Sequence, residues 1–430
     1  MHAHESTISE RPQGDNLSRR HFLGNVAATA ASAASASLLS AAASQAAEQP
    51  AAPPPTPKPA GRKIKLGWLG CGGRGAWLAG LFKQHGGFEF HALADYFPEP
   101  LNQAGDALGV DKSRRFTGLS GCKKVLESGV EALGVLDVPC FYPEHAQAAV
   151  AAGCHVYMAK PVAVDVPGCL AIEAAGKLAT EKKLCFLVDY QMPTDPLNIE
   201  IAKRIWEGAL GELMAVTTLG GGGGSGLRGD PAKGRTIEGR LRGQVWCNDI
   251  PLSGDQFVSY DIHCIDAAIW AIRRRPTSAV GYSRVCRTKP EGDVIDLAFV
   301  TYECPGGLLW NHQTMILPDH GHSLVVNLHG PLASAQISYW GKSFLRGGPK
   351  HFGGGDVESL YDRGAMRNIA EFYRVVTEGL YDNPTVRRAV DGTLTAILGR
   401  EAAGRRTRLT MDELLRENKK LEVDLTGLKV

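Results

Sequence analysis

The sequence predicts an α/β protein in two parts: an N-terminal doubly wound parallel sheet and a C-terminal α+β domain with an open, mainly antiparallel sheet. Three observations predict it. Short apolar runs alternate with helical patterns from Ile64 to Val188, the rhythm of parallel strands joined by crossover helices. A glycine-rich turn, Gly70-Cys71-Gly72-Gly73-Arg74-Gly75, separates the first apolar run from the first helical pattern. Past Asp189 a few helical patterns give way to a series of strand-like runs, as in an α+β domain.

The elements follow in order. Ile64–Leu69 reads as a strand, with a helix from about Gly75. Phe88–Ala94 is a strand and 98–108 a helix, followed by a short helix near 123–128. Ala132–Val138, His155–Met158 and Leu184–Val188 read as strands, separated by helices at 144–152 and 168–181. In the second part a helix at 197–207 precedes a strand at 212–219, a glycine-rich loop at 220–226 and a helix at 258–272. Strand-like runs follow at 279–284, 295–302, 308–313, 323–328 and 335–339. Amphipathic helices at 366–378 and 386–403 follow, and the C-terminal tail adds one more at 411–418.

The chain has 430 residues, 44% hydrophobic and 21% charged, with 47 Lys+Arg against 45 Asp+Glu. That is the composition and length of a globular protein of two domains, and the charge balance gives no electrostatic case for nucleic acid or a membrane surface. Beyond the N-terminus no apolar run is long enough to span a bilayer. The first residues read as an address. Arg19-Arg20 precedes His21-Phe22-Leu23 and a charge-free Ala/Ser-rich run from Gly24 to Ala47, the pattern of a twin-arginine export signal with a small-residue cleavage site after Ala46. The expected organisation is a signal peptide at 1–46, a Pro-rich arm at 47–62 and a dinucleotide-binding domain at 63–188. A substrate and oligomerisation domain at 189–365 and C-terminal helices and tail at 366–430 complete it. The expected location is periplasmic or otherwise extracytoplasmic. The ten cysteines lie singly, a spacing that suits small buried side chains and no zinc site; no metal is expected.

Gly70, Gly72 and Gly75 satisfy the Gly-x-Gly-x-x-Gly fingerprint in its required place, directly after a strand and opening a helix. In a Rossmann domain these glycines permit a tight turn and close approach of a pyrophosphate to a helix N-terminus. Gly73 and Arg74 complete the loop. Asp95 ends the second strand, where an acidic residue hydrogen-bonds the adenosine ribose. Its charge would repel a 2′-phosphate, so NAD is favoured over NADP.

Further residues resemble the Gfo/Idh/MocA family of glucose-fructose oxidoreductases and inositol dehydrogenases. Gly153-Cys154-His155-Val156 followed by Lys160-Pro161, Pro139 with His145 before it, and the 253–266 segment ending in His263 and Asp266 carry the resemblance across about residues 63–415. It implies that Lys160 touches both nicotinamide ribose and substrate, that Pro139, His145 and Gln191 border the cofactor, and that His263 acts at the sugar hydroxyl. The sequence departs from the family where Ala159 replaces a glutamate before Lys160, where Ser259 replaces the aspartate that pairs with His263, where Asp261 stands in place of glycine, and after Gln191, where Met192-Pro193-Thr194 lacks the family's usual arginines. Asp255, Ser259, Tyr260 and Asp266 are candidates for substrate binding. Hydride transfer from a carbinol needs a proton acceptor, and histidine titrates nearest neutrality; Lys160 would stabilise the developing alkoxide. A Gly220–Gly226 loop with Arg228 and Lys233 is a candidate lid. Trp246, Trp310 and Trp340 are candidate sugar-stacking surfaces, at least two of them expected in the core.

The reading is an exported NAD-dependent oxidoreductase acting on a secondary hydroxyl of a sugar or cyclitol. Because free NAD is not expected outside the cytoplasm, the cofactor would be tightly held. Two alternatives stay open: an NAD-dependent glycoside hydrolase or lyase working by transient oxidation and elimination, and a non-catalytic sugar- or nucleotide-binding protein. A homo-oligomer is expected, by the resemblance.

Overall fold

The computed structural model describes residues 61–223, 234–286, 292–317, 323–358 and 360–430. The export signal, the arm before Gly61, and Gly224–Gly226, Arg228 and Lys233 lie outside the described residues.

The first layer system is a parallel sheet of β1 (Ile64–Leu69), β2 (Phe88–Ala94), β3 (Arg115–Phe116), β4 (Ala132–Val135), β5 (His155–Ala159) and β6 (Phe186–Asp189), in the order β3-β2-β1-β4-β5-β6. The strands β1, β4, β5 and β6 are almost wholly buried, as a sheet covered on both faces requires. The crossover helices are α1 (Gly73–His85), α2 (Pro98–Leu108), α3 (Gly121–Glu127), α4 (Tyr142–Ala151) and α5 (Val166–Glu181). Reversal of strand order between β1 and β4 opens a crevice at the carboxyl ends of the strands, the standard ligand position in such sheets.

The second system begins with α6 (Pro196–Trp206), capped by the Asp195 carboxylate on the Leu197 and Asn198 N–H groups. Its sheet comprises β7 (Ala215–Gly223), β8 (Ser278–Arg284), β9 (Leu297–Glu303), β10 (Leu309–Leu317), β11 (Ser323–His329), β12 (Ser334–Ser338), β13 (Gly341–Arg346), β14 (Phe352–Val357) and β15 (Leu409–Thr410). The order is β14-β13-β12-β11-β7-β10-β9-β8-β15, antiparallel except for the β7–β10 pair. β13 and β14 escape the sequence reading because Gly341, Gly347, Gly348 and Gly354 interrupt their alternation.

Helices α7 (Ile237–Leu241), α8 (Ile250–Ser253), α9 (Gln256–Ser259) and α10 (Ile262–Ile272) connect β7 to β8. α11 (Leu360–Glu378), α12 (Pro384–Arg405) and α13 (Met411–Glu417) are the last helices, followed by an irregular tail to Val430. α12 packs on α5 and β6 of the first system and on α10 and β8 of the second, so this helix is a shared wall of the fold. No helix among the described residues is long and apolar enough to cross a membrane.

Two expectations need correction. The glycine-rich stretch begins as sheet: Gly220–Gly223 continue β7, paired with Thr314–Leu317 of β10. A backbone flanked by strands on both sides gains ladder hydrogen bonds whatever its side chains, and these override the low strand preference of glycine. The helix expected from Val258 to Ile272 is broken at Tyr260 (φ −121°, ψ −56°) and Asp261, which separate α9 from α10.

Candidate active site

A cleft of about 1320 Å3 runs along the carboxyl ends of β1, β2 and β4 and on to the start of α10. It exceeds the roughly 300–1,000 Å3 of a drug-sized pocket and has room for a dinucleotide with a small substrate.

At one end lies the glycine turn. Gly70 has φ +86°, and a Cβ there would meet the Leu136 carbonyl oxygen at 2.5 Å; a Cβ on Gly75 would meet the Gly70 oxygen at 2.0 Å. These two glycines are dictated by the turn itself. Gly72 and Gly73 are different: a Cβ on either would meet nothing within 4 Å. Packing leaves this space open, directly at the N-terminus of α1, where first-turn N–H groups have no intrahelical acceptor. The residues present therefore fit a pyrophosphate.

Asp95 follows β2 and borders the same cleft. Its carboxylate accepts from Cys71 N (2.7 Å) and Phe97 N (2.9 Å), which fixes both oxygens and leaves each a lone pair for a ribose hydroxyl. Burial raises its pKa, opposed by these two bonds. Tyr96 and Phe97 continue the wall. After β4, Asp137 Oδ2 sits 2.8 Å from His145 Nδ1. Burial lowers the His145 pKa, but the Asp137 carboxylate outweighs it and the net shift is upward.

At the other end β5 delivers Lys160 and α10 delivers His263, both in the cleft wall with Ser259 and Tyr260. The Lys160 ammonium donates to the Ser259 carbonyl oxygen. His263 is 7% exposed, with Tyr339 and Tyr190 edge-on at 5.1 and 6.3 Å. Its Nδ1 has no partner among the described residues. Burial first, then the charges of Lys160 and Arg74, hold its pKa well below the ordinary histidine value. His263 is thus a neutral imidazole able to accept a hydrogen bond in the cleft. Arg74 leaves the glycine turn to donate to Asp189 Oδ2 (2.7 Å), its guanidinium lying over Trp77 and Tyr361.

Of the remaining sequence candidates, four lie behind the wall. Pro139 is buried at the start of a 3-10 turn. Gln191 is fully buried, donating to Asp189 Oδ2 (3.1 Å) and accepting from the Tyr339 hydroxyl (3.3 Å); it braces Asp189 and Tyr339, which in turn hold Arg74 and face His263. Asp266, also fully buried, accepts from Arg388 Nε (2.8 Å) and ties α10 to α12. Asp255 is fully buried with φ +81°, accepting from Gln256 N (2.6 Å) and Ile295 N (3.2 Å). Trp246 and Trp340 border the cleft while Trp310 alone is core, against the expectation of two in the core. Sequence reasoning missed Asp137, Tyr361, Leu241 and Leu425 in the wall. Only Asp137, following a strand at the switch point, had a local signal.

Asp255 carries a stability prediction. Burial pushes its pKa from 3.8 up to about 7, so the folded state binds a proton more tightly than the unfolded chain. The parent therefore loses stability as pH rises from about 4 through 7. Asp255→Asn keeps an oxygen for the Gln256 and Ile295 N–H groups and removes the charge. Relative to the parent it should gain about 2–3 kcal/mol between pH 5 and pH 8, measured by urea unfolding at both values; a difference independent of pH refutes this.

No protein-family model matches the sequence, and a search of curated proteins returns no match. Solved structures do match. The scyllo-inositol dehydrogenase from Lactobacillus casei with bound NAD(H) and scyllo-inositol is 16% identical, with a TM-score of 0.65 over 82% of this chain and 100% of that one. The aldose-aldose oxidoreductase from Caulobacter crescentus is 19% identical (TM-score 0.63, 81% and 100% covered). GenD2 from gentamicin A biosynthesis, in complex with NAD, is 15% identical (TM-score 0.65, 81% and 97% covered). At these identities the likeness concerns architecture: the chain has the two-domain α/β fold of these oxidoreductases, a parallel dinucleotide-type sheet joined to a large mixed sheet.

Proposed function

We propose that this protein is a Gfo/Idh/MocA-type NAD-dependent oxidoreductase acting on a secondary hydroxyl of a sugar or cyclitol, exported by the twin-arginine route with its cofactor tightly held. The observation that carries the reading is a single cleft holding the open Gly72–Gly73 cradle and Asp95 at one end and the Lys160–His263 pair at the other. Gly72, Gly73 and the α1 N-terminus would hold the pyrophosphate and Asp95 the adenosine ribose, disfavouring a 2′-phosphate. NAD, when bound, would supply the hydride acceptor.

The chain's own groups do the rest. Lys160 places a positive charge where the substrate oxygen becomes anionic. Neutral His263 accepts the hydrogen bond of that hydroxyl and takes its proton as the carbinol is oxidised. Burial, and then the charges of Lys160 and Arg74, disfavour protonated His263, so the proton it takes goes on to solvent water through the cleft rather than resting on the imidazole. Tyr339 and Trp340 offer apolar surface for a ring. The exposed side chains Val280, Tyr282 and Phe299, on adjacent β8 and β9, support the expectation of a homo-oligomer through this sheet face.

The test is to purify the protein without added nucleotide, denature it and identify what is released by mass spectrometry. Stoichiometric NAD, followed by reduction of the bound cofactor on adding inositols or aldoses, is the expected result. The same incubations score glycosidic cleavage without net redox change, the outcome that would replace oxidation with elimination chemistry. A protein that neither carries nor binds NAD(H) overturns the reading.

A further inference from the structure

The chain does not stop at α13. Asn418 ends that helix in the left-handed region (φ +43°), and the remaining residues run on without entering either sheet. Leu421, Val423 and Leu425 are half-buried, while Glu422, Asp424 and Thr426 between them are exposed. This is the two-residue alternation of an extended chain lying with one apolar face on a surface.

Its anchors are specific. Leu421 N donates to Asp165 Oδ2 (2.9 Å), the carboxylate whose other oxygen caps α5 through Gly168 N. Val423 and Leu428 pack into a small apolar cluster with Phe97, Leu241, Leu252 and Trp246. At the far end the Lys429 carbonyl accepts from Leu119 N (2.9 Å), and Lys429 N donates to the Tyr96 hydroxyl (3.1 Å). Tyr96 is the residue after Asp95. Between these anchors Leu425 enters the wall of the nucleotide cleft itself.

We propose that residues 419–430 are a strap that retains the adenosine half of the bound dinucleotide. The inference rests on the dinucleotide reading above and adds the residues that control exchange. The strap joins the Asp95–Tyr96–Phe97 wall and the Leu119 loop on one side to Leu241 and Trp246 on the other. A nucleotide reaching from Gly72–Gly73 to Asp95 has Leu425 against it and the strap across its exit. Because the strap is held by half-buried side chains and isolated backbone bonds rather than by a sheet ladder, it can open without unfolding the domain. Its opening sets the release rate.

The test uses the full chain loaded with NADH and chased with excess NAD, reading loss of NADH fluorescence. A variant ending at Asn418 should release NADH at least about 10-fold faster than the full chain. Leu425→Ala, which keeps every backbone anchor, should release it about 3-fold faster or more and serves where the shortened chain fails to fold. Equal release rates in the parent and these variants overturn the strap while leaving the dinucleotide reading intact. Full chain that binds no NADH overturns both. Independently, saturating NADH should slow carboxypeptidase trimming of residues 419–430 about 5-fold or more; trimming indifferent to NADH counts against the strap.

Discussion

Lys160→Ala should lower the turnover of bound NAD by a sugar or cyclitol about 10²–10³-fold, the loss seen when one preorganised donor to a developing oxyanion is removed, while the nucleotide stays bound. The reason is position. Lys160 directly follows β5 and lines the cleft together with His263, and the Ser259 carbonyl accepts from its ammonium. The glycine cradle and Asp95 do not depend on it. The variant also has a spectroscopic signature: the Lys160 charge is one of the causes that hold the His263 pKa down, so its removal should let that pKa rise. Burial is the larger cause and remains, so His263 should still titrate below the ordinary value. Single-turnover kinetics on NAD-loaded protein and histidine NMR read the two effects separately. Unchanged turnover with NAD bound would assign the alkoxide to another group; an unmoved His263 would deny the two side chains their shared field.

The parts of the site that were legible in the sequence are those whose chemistry is local. A turn with φ +86° at Gly70 and no room for a Cβ at Gly75 can be built from few residue types, so the fingerprint shows in any reading. Asp95 ends a strand at a fixed distance from it, and Lys160 likewise leaves a strand directly. What could not be read is set by contacts far along the chain. Asp266 looks like a substrate ligand until Arg388 takes its carboxylate. Gln191 follows β6, where the resemblance implies a cofactor contact, yet Asp189 and Tyr339 hold it behind the wall. Gly220–Gly223 look like a loop in isolation and become strand because β10 pairs with all four and β11 with Gly220 and Gly221. The C-terminal strap has no motif at all: its role depends on Tyr96 and Leu119 lying where Lys429 can reach them.

Gly220→Ala should destabilise the fold by several kcal/mol, and the cause lies at Asp261. A Cβ at residue 220 would stand 2.1 Å from Asp261 Oδ1, and that carboxylate has nowhere to move. Its Oδ2 accepts from the Thr314 hydroxyl and from His312 Nε2 (3.2 Å). The Asp261 carboxylate can only accept, so the Nε2 proton faces it; in that tautomer His312 Nδ1 accepts from the Thr218 hydroxyl (2.8 Å), whose oxygen accepts from Trp310 Nε1 (2.7 Å). Every member of this network is fully buried. Displacing the carboxylate would leave polar groups unpaired in the core, at about 1–3 kcal/mol each and more where charge is involved; the overlap itself adds about 1–3 kcal/mol. Asp261→Gly alone should also be costly, because it removes the carboxylate acceptor, leaves His312 Nε2 and the Thr314 hydroxyl with only each other (3.2 Å), and opens a cavity. The combination should be milder than the sum, since a Cβ at 220 then enters the space the aspartate vacated. A double-mutant cycle by urea unfolding should show a favourable coupling of about 2 kcal/mol or more between residues 220 and 261. Additive costs would mean that the Gly220 backbone, not the Asp261 carboxylate, demands glycine there. The consequence reaches the site: Asp261 directly precedes α10, two residues before His263, so the carboxylate that fixes the start of α10 also fixes the imidazole. The rescued double variant, folded but without that anchor, should retain its nucleotide and lose turnover.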